Sequence, residues 1–299
     1  MMDRCANCGI AEGDGVKLRS CSACHLVKYC GVKCQKEHRT EHKRACKKRV
    51  AELKDELLFK QPESSHLGDC PICFLPLSLR NDESILTICC SKVICMGCNH
   101  FNIKREREEN LQPKCPFCRH LITPDSAAES LEKLKRRAVE MECPLAMREV
   151  GYLHHKERDF QAALDYFSKA ARLGDAESSN LLGEMYHRGE GVKRDKSKAI
   201  YLNEQAALRG HPRARCNLGG FDWENGRCDR AIKHWLIAAK LGCDISLKNL
   251  KETFKHGLVS KDNFAAALRA QQAAVDATKS PQREEAVAYE KKYGEMNNI

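Results

Sequence analysis

The sequence predicts a mainly α-helical protein in which two small cross-braced modules at the N-terminus precede an α-solenoid of helical-hairpin repeats. Three observations lead to this prediction. Fifteen of the nineteen cysteines fall within the first 118 residues, most of them in C-x2-C pairs. Behind them, Leu-Gly and Ala-Ala pairs recur every 32 to 36 residues. The composition, 42% hydrophobic but only 6% aromatic, favours several small units over one large core.

The cysteine pattern indicates metal binding. Cysteines two residues apart in a tight turn can hold one tetrahedral Zn²⁺ ion through their thiolates. A secreted disulfide scaffold is the alternative, but the chain is long and its start, MMDRCANCG, lacks an apolar signal segment. We therefore expect free thiols, a location in the cytoplasm or nucleus, and no membrane span, because no apolar run approaches roughly 18 residues.

The formal net charge of +10 raises the question of a nucleic-acid partner. Part of this charge is a basic cluster within residues 43–49. No aromatic residues are interleaved with it, which argues against stacking on bases. We expect a solvated helix face here, and nucleic acid is not a predicted partner.

The first cysteine cluster holds eight candidate ligands, enough for two tetrahedral sites. His42 and Cys46 lie four residues apart and share a face if helical; His38 is the rival of His42. The spacing, with its KYCGVKCQKEH stretch, resembles the MYND zinc finger, which we assign to residues 1–48. The resemblance implies two interleaved sites, one of Cys5, Cys8, Cys30 and Cys34 and one of Cys21, Cys24, His42 and Cys46.

MYND fingers typically bind short, often proline-containing segments of partner proteins. The family usually has a tryptophan where this chain has Arg39, so a family-type peptide groove is in doubt while the metal sites are not. The finger also occurs in SET-type lysine methyltransferases, but no stretch of this chain is typical of a SET catalytic core.

Residues 49–69 are predicted to be a connector, with apolar residues at helical spacing before Pro62, which should end the helix. Residues 70–122 begin CPICFLPL, end near CPFCR and resemble a RING finger, a cross-braced module with two zinc ions. A first site of Cys70, Cys73, Cys95 and Cys98 is implied by this resemblance. The second site would use Cys115, Cys118 and two central ligands, for which Cys89 and Cys90 are the candidates and His100 the reserve.

RING fingers of ubiquitin ligases recruit a ubiquitin-conjugating enzyme. The resemblance implies partner contacts at Ile72, Pro116 and Arg119, with Arg119 bonding both the carrier enzyme and ubiquitin. Such a module contributes by positioning the thioester and supplies no nucleophile, so no catalytic residue is assigned. The alternative is an inert adaptor in which Ile72 and Pro116 pack the zinc loops and Arg119 is solvated.

Residues 123–142 are predicted to form a linking helix with a capping box from Ser126 to Glu129. Residues 143–275 are repeats, in which LLGEMYHRGEGVKRDKSKAIYLNEQAALRG resembles the Sel-1-like branch of tetratricopeptide repeats. One copy cannot bury its apolar face, whereas a stack of three or more can. The resemblance implies a curved scaffold that holds partner proteins on its concave side.

Within the repeats, Tyr186, Tyr201 and Trp235 are expected to fill the spaces between helices. Candidate partner contacts on the concave surface are Trp223, Arg213 and Arg215, with a core position as the alternative for Trp223. The four remaining cysteines are expected to be ordinary small apolar residues. The tail, residues 276–299, is charged and expected to be partly helical.

Together these features predict a zinc-binding protein-interaction protein with four zinc ions per chain. The predicted activity is that of a RING-type ubiquitin ligase, which recruits a ubiquitin-conjugating enzyme through the second module and clients through the MYND finger and repeats. A non-catalytic scaffold or adaptor is the alternative.

Overall fold

The computed structural model describes the backbone of residues 3–13, 15–122 and 127–293, and the side chains in these ranges except those of residues 127 and 128. The chain divides into two compact units, Met1–Lys60 and Gln61–Ile299. The first unit contains the first cysteine cluster. The second unit contains the second cluster, the repeats and the tail.

Cysteines provide most of the interior of the first unit. A short antiparallel hairpin joins β1 (Arg19–Ser20) to β2 (Lys28–Tyr29), and helices α1 (Val32–Glu37) and α2 (Arg39–Leu58) follow. The buried cluster consists of Cys5, Leu18, Cys21, Cys24 and Tyr29. Since so few apolar side chains are buried, the folding stability of this unit must come largely from metal coordination by its cysteines.

Helix α2 begins before residue 49, where the predicted connector begins. It starts at Arg39 rather than at residue 49, because His42 and Cys46 already lie on it. The helix ends at Leu58 with Phe59 as its C-cap, before Pro62 is reached. The predicted connector helix is therefore the second half of a helix rooted in the first cysteine cluster.

The second unit begins with a small mixed module. After a 3-10 turn (Asn81–Glu83), β3 (Ser84–Thr87) pairs antiparallel with β4 (Lys92–Cys95), and helix α3 (Met96–Glu108) follows directly. The Cys95 sulfur caps α3 by accepting a hydrogen bond from the Cys98 N–H. The buried apolar cluster of this module consists of Cys70, Leu77, Ile94, Cys95 and Cys98.

The remainder of the second unit, within residues 127–293, is helical. Helix α4 (Ala127–Glu140) packs on the first of four helical hairpins, and α13 (Pro281–Tyr293) follows the last. The hairpins are α5 (Pro144–Lys156) with α6 (Phe160–Arg172), α7 (Ala176–Arg188) with α8 (Lys196–Leu208), α9 (Pro212–Glu224) with α10 (Cys228–Lys240), and α11 (Asp244–Lys255) with α12 (Lys261–Ala277). This mainly α architecture behind two cysteine-rich modules confirms the predicted fold class.

The recurring Leu-Gly pair has a packing explanation. A Cβ atom on Gly183 would lie 2.4 Å from the Asn203 amide nitrogen, and one on Gly219 would lie 2.3 Å from Trp235 Nε1. In each hairpin the glycine of the first helix thus makes room for a buried side chain of the second. The pairs Ala206-Ala207 and Ala238-Ala239, on the second helices of these two hairpins, are fully buried, which lets neighbouring helices approach closely.

Two expectations about aromatic residues in the repeats have different outcomes. Trp235 is 4% exposed and lies in the core, as predicted, whereas Tyr201 is 56% exposed and does not fill an interhelical space. Tyr201 is two positions from both Ala199 and Asn203, which are buried, so on a helix it points away from the packed face. Ser126 of the predicted capping box lies outside the described residues.

Among the described residues, no helix is both long and apolar enough to cross a bilayer.

Candidate metal centres

The first module gathers its eight candidate ligands into two groups of four. Within each group the ligand atoms lie within 4.8 Å of one another. The groups are Cys5, Cys8, Cys30 and Cys34, and Cys21, Cys24, His42 and Cys46. These are the sets implied by the sequence resemblance, and their coordination of zinc stays a prediction.

The first group is shaped by a tight turn at Cys5. The Cys5 N–H donates to the Ile10 carbonyl at 2.8 Å, and the Gly9 N–H donates back to the Cys5 carbonyl at 2.9 Å. Gly9 has φ +75°, a conformation that glycine adopts without strain. This turn places Cys8 Sγ 3.6 Å from Cys30 Sγ.

Helix α2 supplies half of the second group. His42 Nε2 lies 3.2 Å from Cys24 Sγ, and Cys46, one turn further along the helix, has its sulfur 4.0 Å from that of Cys21. His38, the rival of His42, is held elsewhere: its Nδ1 lies 3.1 Å from the Tyr29 hydroxyl oxygen, and its ring stacks on that of His42. The structure therefore favours His42 as the ligand.

The distances between ligand atoms fit a tetrahedral ion. With Zn–S bonds of about 2.3 Å, the sulfur atoms of a tetrahedral site stand about 3.8 Å apart. The closest sulfur pairs of the two modules are separated by 3.4 to 4.0 Å. A disulfide would need about 2.05 Å, and all the cysteines are free. The donor set of thiolates and one imidazole is the set that structural zinc sites use.

The second module repeats this arrangement with sulfur alone. Its two groups are Cys70, Cys73, Cys95 and Cys98, and Cys89, Cys90, Cys115 and Cys118. Along the chain the first and third pairs form one group and the second and fourth pairs the other. Each group spans a pair of the other, since Cys89 and Cys90 lie between the pairs of the first group and Cys95 and Cys98 lie between the pairs of the second. Folding of the segment between one group's ligands therefore orders part of the other site.

The neighbouring thiols of Cys89 and Cys90 reach one site because the hairpin between β3 and β4 turns sharply. Ser91 follows them with φ +52°, and its N–H donates to the Thr87 carbonyl at 2.7 Å. Cys89 Sγ lies 3.4 Å from Cys118 Sγ. The reserve ligand His100 is not part of the group, because its ring packs against Tyr289 with centroids 4.8 Å apart.

The three predicted partner contacts of the second module lie in different environments. Ile72 is half-buried against the module core and Pro116 is half-buried. Arg119 is exposed, adopts φ +62°, and its Nη1 donates to Asn102 Oδ1 at 3.4 Å. Two further apolar side chains adjoin candidate ligands and face solvent: Phe74, next to Cys73, is 77% exposed and Phe117, next to Cys118, is 41% exposed.

A cluster that the sequence did not indicate lies where the linker meets the repeats. His66 and His211 stack with ring centroids 4.0 Å apart, and both approach Glu177 Oε2, at 3.4 and 2.9 Å respectively. The His66 N–H donates to the Gly210 carbonyl at 3.1 Å. Burial alone would raise the pKa of Glu177, but the hydrogen bond from His211 and the nearby His66 ring outweigh it and lower that pKa well below its usual range.

Hydrogen bonding accounts for the His211 ring and Glu177, whereas both ring nitrogens of His66 are buried without a hydrogen-bond partner. The Ala214 N–H donates to His211 Nδ1 at 3.1 Å, so in the neutral ring Nε2 carries the proton and donates it to Glu177. Rings inclined by only 28° at this separation cannot both direct a nitrogen lone pair at one ion. His66, Glu177 and His211 therefore fasten the linker to the repeats. Glu177 is 111 positions after His66 and 34 before His211, so no local sequence pattern indicates the cluster.

The predicted concave-surface contacts are only partly exposed. Trp223 is 38% exposed and the Arg213 side chain is 51% exposed, so both remain available to a partner. The prediction for Arg215 is wrong: it is 1% exposed, and Nη2 donates to the Ala207 carbonyl at 3.2 Å. Its long stem packs between helices while its guanidinium satisfies backbone at a helix end.

Comparisons with known proteins identify two of the three regions. The MYND finger family model matches residues 5–46. The Sel1 repeat family model matches residues 144–175, 176–211 and 212–243. The RING resemblance of residues 70–122 has no family match behind it and stays a hypothesis. No curated protein sequence matches the chain.

Similar solved structures all align with part of the chain. A Sel1 repeat protein from Oxalobacter formigenes is 25% identical over 60% of this chain and 72% of its own, with a TM-score of 0.45. A protective antigen of uropathogenic Escherichia coli with an SLR fold is 21% identical over 56% of this chain and 36% of its own, with a TM-score of 0.40. An immunity protein from Pseudomonas aeruginosa is 16% identical over 62% and 84%, with a TM-score of 0.33.

MYND fingers bind zinc, and four ligand clusters, two in the MYND finger and two in the second module, could hold ions. The prediction that the chain binds several zinc ions is therefore confirmed, while the number of four stays a prediction. Sel1 repeats are protein-interaction modules. The chain thus combines a MYND finger with Sel1 repeats and is a zinc-binding protein-interaction scaffold.

Proposed function

We propose that this scaffold is a RING-type ubiquitin ligase, in which the second module binds a ubiquitin-conjugating enzyme and the other regions bind clients. The observation that carries the proposal is the interleaving of two groups of four cysteines within residues 70–118. This is the cross-brace of the RING fingers that the sequence of the module resembles. Cytoplasm and nucleus, where the ubiquitin system and free thiols coexist, are the proposed locations.

Exposed side chains at the zinc loops support an interface there. Phe74 directly follows Cys73 and Phe117 directly precedes Cys118, and the two are 77% and 41% exposed. Aromatic and arginine side chains are enriched in binding hot spots, and Arg119 lies two residues after Phe117 in the same loop. Its planar guanidinium could bond two partners at once, which suits the role of holding a thioester in place.

Helix α13 leaves this surface open. It packs on the side of α3 that carries Gly97, His100 and Lys104. Asn102, which donates to the Lys114 carbonyl at 3.0 Å, lies on the opposite side of α3 at 3.6 residues per turn. The loop that contains Pro116 and Arg119 is therefore not covered by α13.

Client binding would fall to the other two regions. In the MYND finger, Arg39 is exposed at the first position of α2, where the family usually has a tryptophan, so a client peptide would meet a cation rather than an indole. In the repeats, Trp223 and Arg213 are the exposed candidates. No atom of the protein forms a covalent intermediate in this scheme.

The test is ubiquitin-chain formation with purified activating and conjugating enzymes and the full-length, zinc-loaded chain. We expect chains with wild type, a loss of at least tenfold for Arg119→Ala, and wild-type activity for Arg107→Ala, a matched exposed arginine on α3. Zinc content measured on each protein controls for folding. If no conjugating enzyme supports chains, or both arginine variants behave alike, the protein is the adaptor that the half-buried Ile72 and Pro116 favour.

A further inference from the structure

The last described helix, α13, packs against the second module. Helix α13 contacts α3 along its length, and Ala286 is 1% exposed at their interface. Lys104 Nζ lies 2.8 Å from Glu285 Oε1, and the Tyr289 ring packs on that of His100. Within the charged tail, helix α13 (Pro281–Tyr293) is therefore part of a folded module that begins some 200 residues earlier.

One arginine of this helix reaches a candidate zinc ligand. Arg283 Nη2 donates to Cys73 Sγ at 3.3 Å and to the Leu75 carbonyl at 3.1 Å. Its Nη1 donates to the Pro76 carbonyl at 2.6 Å and to the Thr278 carbonyl at 2.8 Å. The residue is only 9% exposed, so these bonds hold a desolvated cation against the loop that follows Cys73.

The approach of the two segments is close enough to require a glycine. A Cβ atom on Gly97 would lie 2.8 Å from Arg283 Cγ and 2.9 Å from the Arg283 backbone nitrogen. Gly97 lies between Cys95 and Cys98, which share a site with Cys73. The arginine is thus seated against both of the segments that build this site.

The chemistry of the site explains what a guanidinium would do there. Four thiolates around Zn²⁺ carry a net charge of −2 in a largely buried position. A charge-assisted N–H···S bond offsets part of that charge and fixes the orientation of the ligand. Loss of such an outer-shell partner typically lowers metal affinity 10- to 100-fold.

We propose that Arg283 is an outer-shell residue of the Cys70/Cys73/Cys95/Cys98 zinc site, and that α13 sets how tightly this site holds its metal. The interaction is independent of ligase activity, because it concerns the metal and not the carrier enzyme. The other site of the module serves as an internal comparison. There, Arg137 donates to the Cys89 carbonyl at 2.9 Å, which is a backbone rather than a sulfur contact.

The experiment measures zinc release from the full-length, four-zinc protein into excess chelator with a coloured zinc indicator. Arg283→Ala should release one zinc 10- to 100-fold faster than wild type, and Arg283→Lys, which keeps the charge but not the fork, should fall between them. Glu285→Gln is the matched control, because it breaks the α13 ion pair to Lys104 without touching sulfur, and it should release zinc at the wild-type rate.

Alkylation of released thiols, followed by peptide mass spectrometry, identifies the site. Labelling of Cys70, Cys73, Cys95 and Cys98 ahead of the other ligands supports the proposal. Unchanged release in Arg283→Ala overturns it. Equal acceleration of both sites of the second module also overturns it, because Arg283 would then act through the fold of the whole module. If the protein forms no ubiquitin chains but Arg283→Ala still releases zinc faster than wild type, the proposed function is removed and the assignment of Arg283 stands.

Discussion

Two adjacent glycines in helix α9 should respond in opposite directions to the same substitution. A Cβ atom on Gly219 would lie 2.3 Å from Trp235 Nε1 and 2.6 Å from its Cδ1, whereas one on Gly220 would meet nothing within 4 Å. Trp235 is 4% exposed, so it has little room to retreat. We therefore expect Gly219→Ala to destabilise the repeats and Gly220→Ala to stabilise them.

The magnitude follows from three contributions. Overpacking of a buried site costs about 1 to 3 kcal/mol. A displaced Trp235 would also lose the hydrogen bond from Nε1 to the Cys216 carbonyl, 3.2 Å long, leaving buried groups unpaired at about 1 to 3 kcal/mol. Alanine regains about 1 kcal/mol over glycine within a helix. The net expectation is a loss of about 3 kcal/mol for Gly219→Ala and a gain of about 1 kcal/mol for Gly220→Ala.

The assay is urea unfolding monitored by tryptophan fluorescence in the presence of zinc. Trp223 and Trp235 are the two tryptophans of the chain and lie in one hairpin, with ring centroids 5.6 Å apart, so the signal reports this repeat. The reasoning fails if Gly219→Ala unfolds at the same urea concentration as wild type or a higher one. It fails equally if Gly220→Ala loses as much stability as its neighbour.

Three further outcomes are expected. Stripping zinc with a chelator at neutral pH should unfold residues 3–60, because roughly 10 to 16 kcal/mol of binding energy per structural site is folding energy. The tryptophan fluorescence of the repeats should persist. Its loss would contradict the expectation that the repeats fold without the metal. Burial and the charges of Arg215 and Arg230 lower the pKa of His234 to about 3. The unfolded chain should therefore take up this proton first as the pH falls below about 6.5, and stability should drop by about 2 kcal/mol between pH 7 and 5. His234→Phe should flatten that slope in urea titrations at the two pH values. Asp175 caps α7, and its carboxylate lies 3.2 Å from Arg148 Nη1. Asp175→Ala should therefore lower the free energy of unfolding by about 3 to 5 kcal/mol, and Asp175→Asn, which keeps the cap, by about 1 kcal/mol less. Equal losses for the two variants would show that the cap contributes nothing.

The sequence was most informative where chemistry and spacing are local. Pairs such as Cys5 with Cys8 define a turn and a ligand type within four residues, and the repeats define helical hairpins by recurrence. For these reasons the fold class and zinc could be predicted. The assignment of Cys89 and Cys90 needed the hairpin turn at Ser91, which the sequence does not specify. The grouping of ligands into sites came from resemblance and stays a prediction.

Other features depend on contacts between distant parts of the chain. His66 meets Glu177, and Arg283 meets Cys73, across more than a hundred residues, and neither pair has a motif. The error at Arg215 arose because a cation in a repeat normally suggests solvent, whereas here backbone carbonyls at a helix end satisfy it. The error at Tyr201 arose because an aromatic side chain suggested packing, whereas its position on helix α8 places it on the face turned away from the core.

The contact between α13 and the second module also has a consequence during synthesis on the ribosome. Cys118, the last candidate ligand of the module, precedes Arg283 by 165 residues. At about 5 to 20 residues per second, the ligands would wait roughly 8 to 30 s for their arginine. In that interval a newly made module must capture and keep zinc without its C-terminal partner, so nascent chains truncated before residue 281 should lose metal to competing thiols more readily than finished ones.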